Sequence, residues 1–187
     1  IAILMLEIIK QLDEQVFIYL NSLGSESWDP LWLFLTKQAN WVWLFVVVFY
    51  FFIKKYGWKN FGFLVIALAI LITITDQGTN LVKNLTQRLR PCHEAHLQNI
   101  IRIVKDGGKY SFFSGHASNS MATTTLLFFL LKKHYRFAGF LFVFPFIFAY
   151  SRIYLGLHYP TDILCGYLFG ASTGYGMYRI YDVYLKN

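Results

Sequence analysis

The stretch FGFLVIALAILITITDQGTNLV (residues 61–82) decides the fold class. Asp76 is the one charged side chain among these 22 residues. At about 1.5 Å of rise per residue, roughly 20 apolar residues in a helix cross the ~30 Å hydrocarbon core of a bilayer. The run is continuous rather than alternating, which argues for a helix and against a barrel strand. Outward from it, four more apolar stretches approach the same length, at 31–53, 117–131, 137–153 and 161–181. Thr36, Lys37 and Gln38 interrupt the first, and Lys37 is expected to snorkel or to face the protein interior. Residues 114–116 are expected to complete the third at its start, and Pro145 to kink the fourth. Trp28, Trp32 and Trp58 fit interfacial anchoring near the ends of the spans.

Composition agrees. The chain has 187 residues, of which 56% are hydrophobic, 20% aromatic and only 14% charged, against roughly 25% charged in soluble proteins. A bilayer can absorb that apolar surface where a soluble core of this size cannot. The net charge of +7 could suggest nucleic acid. The basic residues, however, lie in short clusters between apolar runs, and no nucleic-acid motif accompanies them. Cys92 and Cys165 are read as free thiols. No basic segment with a small-residue cleavage site opens the sequence, so a cleaved leader is not expected, and Met5 is read as the natural start. Residues 1–23 carry Leu6, Ile9, Leu12, Val16, Tyr19 and Leu20 at helical spacing, with Glu7, Lys10, Asp13 and Glu14 between them. That predicts an amphipathic helix in the membrane interface. The expected fold is therefore all-α: a polytopic membrane helix bundle of about five transmembrane helices plus the N-terminal interfacial helix. Residues 1–187 form one domain, with 1–30 as interfacial helix and turn and 31–187 as transmembrane core.

Five spans sort the loops onto two faces. One has Lys54, Lys55, Lys59, Lys132, Lys133, Arg136, Arg179 and Lys186; the other has Lys10, Lys83, Arg88, Arg90, Arg102, Lys105, Lys109 and Arg152. The positive-inside rule is tied on this count. Assigning Lys83, Arg90 and Arg152 to phosphate binding tips the first face toward the cytoplasm.

The second face collects the residues able to do chemistry. In Lys83-Asn-Leu-Thr-Gln-Arg-Leu-Arg90-Pro91, continued helix would put Lys83 and Arg90 two turns apart on one face, with Pro91 ending it. Two cations so placed repel unless an anion lies between them, although cations at a membrane boundary also snorkel. Ser114-Gly115-His116 opens the third span, where a helix N-terminus offers free N–H groups to phosphate. Gly115 permits close approach of the backbone, Ser114 can cap the helix, and His116 stands ready for proton transfer. Alone, this tripeptide would read as an ordinary cap. Further on, Asp162 follows His158 by four residues, so its carboxylate can accept from one ring nitrogen and leave the other free to attack. Arg152 brings a planar fork of donors for phosphate oxygens. A His–Asp pair that merely stabilises a helix start is the plainer alternative. Asp76 is read as pairing with Lys37 or other polar groups of the bundle, or as lining a substrate cleft. His93, Glu94 and His96 are weak metal-ligand candidates, and their loop is read as solvated.

Together the three pieces resemble the signature of the type 2 phosphatidic acid phosphatase superfamily, PAP2, which also includes vanadium haloperoxidases. Its pattern is Lys-x6-Arg-Pro, then Pro-Ser-Gly-His, then Ser-Arg-x5-His-x3-Asp. Here it stands as Lys83…Arg90-Pro91, Ser114-Gly115-His116 and Ser151-Arg152…His158…Asp162, over roughly residues 60–181. Phe113 occupies the place where the family usually has proline. The resemblance implies a membrane lipid phosphatase in which His158 attacks phosphorus to form a phosphohistidine. Asp162 would orient it, and His116 would protonate the leaving oxygen and then activate water. Lys83, Arg90, Arg152, Ser114 and Gly115 would bind the phosphate. No metal and no cofactor are expected, since five donors leave little need for Mg²⁺.

The expected partner is a phosphorylated membrane lipid within the bilayer, with no nucleic acid. Candidates are undecaprenyl pyrophosphate, a lipid A phosphate, phosphatidylglycerol phosphate and phosphatidic acid, with a cell-envelope lipid favoured. The expected location is a bacterial inner membrane with the site facing the periplasm or exterior. A vanadate-dependent haloperoxidase and a non-catalytic lipid-binding protein or transporter are the competing readings. The haloperoxidases are mostly larger and soluble, and a transporter would be expected to show related halves.

Overall fold

The structure, a computed structural model, describes residues 2–186. Six α-helices follow one another: α1 (Ala2–Ser22), α2 (Asp29–Leu35), α3 (Val42–Thr86), α4 (Gly115–Leu131), α5 (Val143–Tyr154) and α6 (Pro160–Lys186). Short 3-10 turns occupy Glu26–Trp28, Gln38–Trp41, Pro91–His93 and Ala138–Phe142. No strand occurs among the described residues; Leu89 and Tyr110 form an isolated antiparallel bridge.

Helix α3 unites two of the expected spans. Its 45 residues are broken at Gly57, whose φ of 79° and ψ of 170° suit only a residue without Cβ. The chain turns back there. Phe49 and Phe61 would lie about 18 Å apart along a straight helix, yet their ring centroids are 5.3 Å apart. Lys54, Lys55 and Lys59 are exposed around the turn. The segment Gln38–Thr86 is apolar enough and long enough to cross a membrane, and Ala138–Tyr154 is a shorter apolar stretch.

Two local expectations need correction. The stretch 31–53 is not one helix: α2 stops at Leu35, and a 3-10 turn intervenes before α3. Thr36, buried at the break, accepts a hydrogen bond from Arg152 at 2.8 Å, so the interruption supplies a partner for a buried guanidinium. Lys37 is exposed, in keeping with the snorkelling alternative and not the interior one. Pro145 falls in the first turn of α5, where a missing N–H leaves no helical bond unmade; the change of geometry there is from 3-10 to α-helix at Val143.

The N-terminal helix forms as expected, but it docks by an unexpected face. Its buried residues are Asp13, Phe17 and Asn21, at successive four-residue steps, while Leu6, Ile9, Leu12, Val16 and Tyr19 point outward. Asn21 donates to the carbonyls of Arg102, Ile153 and Tyr154 and accepts from the Arg102 N–H. Asp13, Asn21 and one apolar anchor, Phe17 packed on Tyr159, hold α1 to the bundle, and most of its apolar side faces away. The same inversion runs around the bundle, where Val46, Ile66, Ile70, Phe140, Leu164, Leu168 and Ile180 are exposed. Lipid hydrocarbon is the solvent that suits such a surface.

Helices α4 and α6 pack most closely. Gly166, Gly170 and Gly174 recur every four residues along one face of α6. A Cβ on Gly166 would meet the Ser114 carbonyl oxygen at 2.7 Å, and Cβ atoms on the other two would strike the carbonyls of Ser118 and Ala122. Small residues at this spacing let two backbones touch, the contact that substitutes for a hydrophobic driving force inside a membrane. The pairing fixes the height of Ser114 against Asp162, whose backbone oxygen accepts from the Ser114 N–H at 3.0 Å. Gly170→Leu is therefore expected to destabilise the fold by about 1–3 kcal/mol through overpacking. A lowered thermal midpoint in detergent checks this, and an unchanged midpoint would remove the close-packing account.

Candidate active site

The first motif differs from its expected geometry. Lys83 lies in the last turn of α3, but the helix ends at Thr86, with Gln87 in the left-handed conformation at φ 49°. Arg90 is extended (φ −74°, ψ 153°), so it shares no helical face with Lys83, and Pro91 begins a separate 3-10 turn. The reason is tertiary. The chain after Gln87 pairs with the returning loop: Arg90 N–H donates to the Lys109 carbonyl and Ser111 N–H to the Arg88 carbonyl. The Arg90 side chain donates through Nε to the Tyr110 carbonyl at 3.2 Å, leaving Nη1 buried without a partner.

Ser114 is fully buried and caps α4, its hydroxyl accepting from the Ala117 N–H at 3.4 Å. At Gly115 an added Cβ would meet only the Thr79 methyl, at an ordinary 3.6 Å, so packing within the protein does not demand glycine there. His116 stacks on Phe148 with ring centroids 4.7 Å apart and 21° between planes.

The third motif closes the site from the other side. Helix α5 ends at Tyr154, and Gly156 takes a φ of 83° that turns the chain toward α6. His158 is 1% exposed. Its Nδ1 lies 3.3 Å from Asp162 Oδ2, which also accepts the Tyr159 N–H at 2.9 Å. A carboxylate that only accepts places the proton on Nδ1 and leaves Nε2 with its lone pair. Burial, and after it the charges of Arg90, Arg152 and Lys83, hold this imidazole well below its ordinary range, in the neutral form a nucleophile needs. The charge of all three cations is thus felt at this one ring. Arg152 donates through Nη1 to Thr36, while its Nε, like Arg90 Nη1 and Thr79 Oγ1, is buried and unpartnered. Unsatisfied buried donors are costly, and a phosphate between the arginines would satisfy them.

Arg88 was not singled out by its position in the sequence. Its Nη1 donates to Asp162 Oδ1 at 3.0 Å and to Thr161 Oγ1 at 2.9 Å, and its Nη2 to Asp13 Oδ2 at 2.6 Å. The guanidinium also lies 3.9 Å over the Tyr159 ring. Asp162 is thus shared between His158 and an arginine that is itself clamped by α1. The only signal in the sequence was an acidic residue on α1 and an unclaimed arginine inside the first motif. Asp162→Asn is expected to lower kcat by about 10²–10⁴-fold, because the amide can donate to Nδ1 and so favour the wrong tautomer. Arg88→Gln should give a smaller loss together with a shifted pH–rate profile. Both are read by steady-state kinetics across pH, and an unaltered Asp162→Asn rate would end the orienting role.

The loop between the motifs is largely solvated, as expected, and is anchored at a few points. Leu97 is fully buried, and Arg102 pairs with Asp29 at 2.9 Å, while Ala95, His96, Ile100, Lys105, Asp106 and Lys109 are among its exposed residues. His96 reaches Glu14 at 3.0 Å. Cys92, His93 and Asp106 come close enough to suggest metal ligation. His93 Nε2, however, is already engaged by the Gly107 carbonyl at 2.9 Å. Cys92 and Cys165 are both free. Asp76 pairs with Asn119, not with Lys37: Asn119 Nδ2 donates to its Oδ1 at 2.6 Å. It also lines a cavity of about 260 Å³ that reaches Gly115 and His116.

A membrane helix bundle that gathers two histidines, a carboxylate and three cations at one end defines a class, and comparison with known proteins supplies the family. The family model of the PAP2 superfamily matches residues 61–185. The chain belongs to the PAP2 superfamily, and it is an integral-membrane lipid phosphate phosphatase. It is 33% identical to a lipid A 4'-phosphatase of Bacteroides thetaiotaomicron over 94% of this chain and 80% of that one. To a lipid A 4'-phosphatase of Porphyromonas gingivalis it is 30% identical, over 94% and 75%. Two crystal structures share the fold. The transmembrane PAP2-type phosphatidylglycerolphosphate phosphatase of Bacillus subtilis superposes with a TM-score of 0.70 at 17% identity, covering 90% of this chain and 84% of that one. Aquifex aeolicus LpxE gives 0.68 at 21%, covering 90% and 95%.

Proposed function

We propose that this enzyme removes the 4'-phosphate of a lipid A-type glycolipid, by way of a phosphohistidine on His158, at the outer face of a bacterial inner membrane. The observation that carries the substrate is the similarity to lipid A 4'-phosphatases along 94% of the chain. The mechanism draws on the site. His158 Nε2 bonds to phosphorus as the phosphorus–oxygen bond to the sugar breaks, and His116 gives its proton to the departing oxygen. Asp162 stabilises the positive charge that the ring then carries. In the second step His116 takes a proton from water, whose oxygen bonds to phosphorus as the phosphorus–nitrogen bond breaks. Inorganic phosphate leaves and the neutral imidazole returns.

Lys83, Arg90, Arg152, the Ser114 hydroxyl and the Gly115 N–H face the oxygens that gain charge in the transition state. No metal is given a part in this scheme, so activity should survive EDTA. Vanadate, which can take up the five-coordinate geometry of phosphorus in transfer, should inhibit.

The test is phosphate release by purified protein in detergent from lipid A, undecaprenyl pyrophosphate, phosphatidylglycerol phosphate and phosphatidic acid. Fragment masses of the lipid A product tell whether the 4' or the 1 position was cleaved. Selective loss of the 4'-phosphate is the expected result. Cleavage of phosphatidylglycerol phosphate with lipid A untouched would replace this substrate by a glycerophospholipid.

A further inference from the structure

The cavity beside His116 adjoins the proposed phosphate site at Gly115 but is lined by none of Lys83, Arg90, Ser114, Arg152 or His158. It lies between the two arms of α3, α4 and α5, and it begins at the residue proposed as general acid. A general acid must touch the leaving oxygen, so whatever is bonded to that oxygen extends from phosphorus on the His116 side. The cavity is thus where the leaving alcohol must go. Its volume of about 260 Å³ suits one ring of a headgroup, not a whole lipid.

The lining is specific in its chemistry. Phe45 and Phe148 provide aromatic wall, while Gln38, Asp76 and Asn119 provide the polar groups. Asp76 and Asn119 face each other through the 2.6 Å bond already described. The second carboxylate oxygen of Asp76 makes no hydrogen bond among the described residues, and Asn119 Oδ1 is buried without a partner. Asp76 belongs to the apolar segment that opened the sequence reading, where a carboxylate is expensive unless it has a use. Two vacant acceptors between aromatic faces fit a ligand that brings donors on its edge and C–H groups on its faces. A pyranose has that distribution. A glycerol ester offers fewer donors, and a polyprenyl chain offers none.

We propose that Asp76 and Asn119 form a leaving-group subsite that accepts hydrogen bonds from the hydroxyl or amide N–H groups of an amino sugar. The subsite selects sugar-borne phosphates over glycerol- or polyprenyl-borne ones. This rests on the glycolipid reading above and on His116 as the acid.

The experiment uses the full chain in detergent, wild type and Asp76→Ala, on two substrates: an acylated glucosamine disaccharide with a 4'-phosphate, and phosphatidic acid. Asp76→Ala should reduce the kcat/KM preference for the glycolipid over phosphatidic acid by about 10–100-fold, the scale of a lost hydrogen bond to a charged group. Inhibition by vanadate, which fills only the phosphate subsite, should keep its wild-type constant. Asp76→Asn, of the same shape, should restore part of the preference. An unchanged preference in Asp76→Ala would overturn the subsite. So would a fall in vanadate affinity parallel to the fall in turnover, which would make Asp76 a support of the phosphate pocket. Failure of the glycolipid reading itself looks different: the wild type would cleave phosphatidic acid and leave the disaccharide intact.

Discussion

His158→Ala should reduce turnover by at least about 10⁴-fold while the protein still folds. The imidazole has Nδ1 held at 3.3 Å from Asp162, which leaves Nε2 as the nitrogen for attack. Without it, water would have to attack phosphorus unaided, and only the cationic pocket would remain to stabilise the transition state. Because His158 is 1% exposed, alanine also leaves a void. His158→Gln, closer in volume, separates lost chemistry from lost packing, and both variants should elute and melt as folded protein. A trapping experiment completes the test. Rapid quenching of wild type with phosphorus-labelled lipid should leave label that survives alkali and is lost in acid, the stability of a phosphoramidate. Near-normal turnover in His158→Gln would remove His158 as nucleophile.

His116→Ala should cost about 10²–10⁴-fold with the lipid substrate, the usual worth of a positioned proton donor. The loss should depend on the leaving group. A sugar or glycerol alkoxide is too basic to depart without a proton, whereas a nitrophenolate departs readily. An aryl phosphate should therefore be cleaved by His116→Ala with a much smaller deficit in the phosphorylation step, measured as the initial burst of phenolate. An equal loss on both substrates would place His116 among the groups that bind phosphate. Phe148 packs face to face on His116 at 4.7 Å, so the ring's orientation is set by an aromatic neighbour and not by a carboxylate. That suits the proton donor and acceptor proposed for His116.

Much of this was legible in the chain. The apolar runs announced an all-helical fold, and Gln38–Thr86 is a helix long and apolar enough to cross a membrane. His158 and Asp162 could be paired from their spacing alone, since four residues is one helical turn. Ser114 announced a cap by residue type, and Gly115 follows it as the first residue of α4. Other local extrapolations failed where the backbone changed state. Arg90 was placed by continuing a helix that Gln87 ends, and the stretch 31–53 was continued through Thr36, where the helix stops. The glycine repeat of α6 was in plain view, yet its meaning depends on which helix it faces.

The sequence by itself determined the all-helical class, where the apolar runs lie, and that His158 and Asp162 stand one turn apart. Those are matters of period and composition, settled within one or two turns. Tertiary structure alone decided that Asp13 of α1 and Arg88 hold Asp162 from behind, and that Asn21 caps the end of α5. It decided also that Asp76 meets Asn119 across the cavity and not Lys37. In a low-dielectric interior a polar group must find a partner wherever two surfaces meet. Partners separated by 75 or 132 residues are joined by the packing of whole helices, which no local spacing encodes.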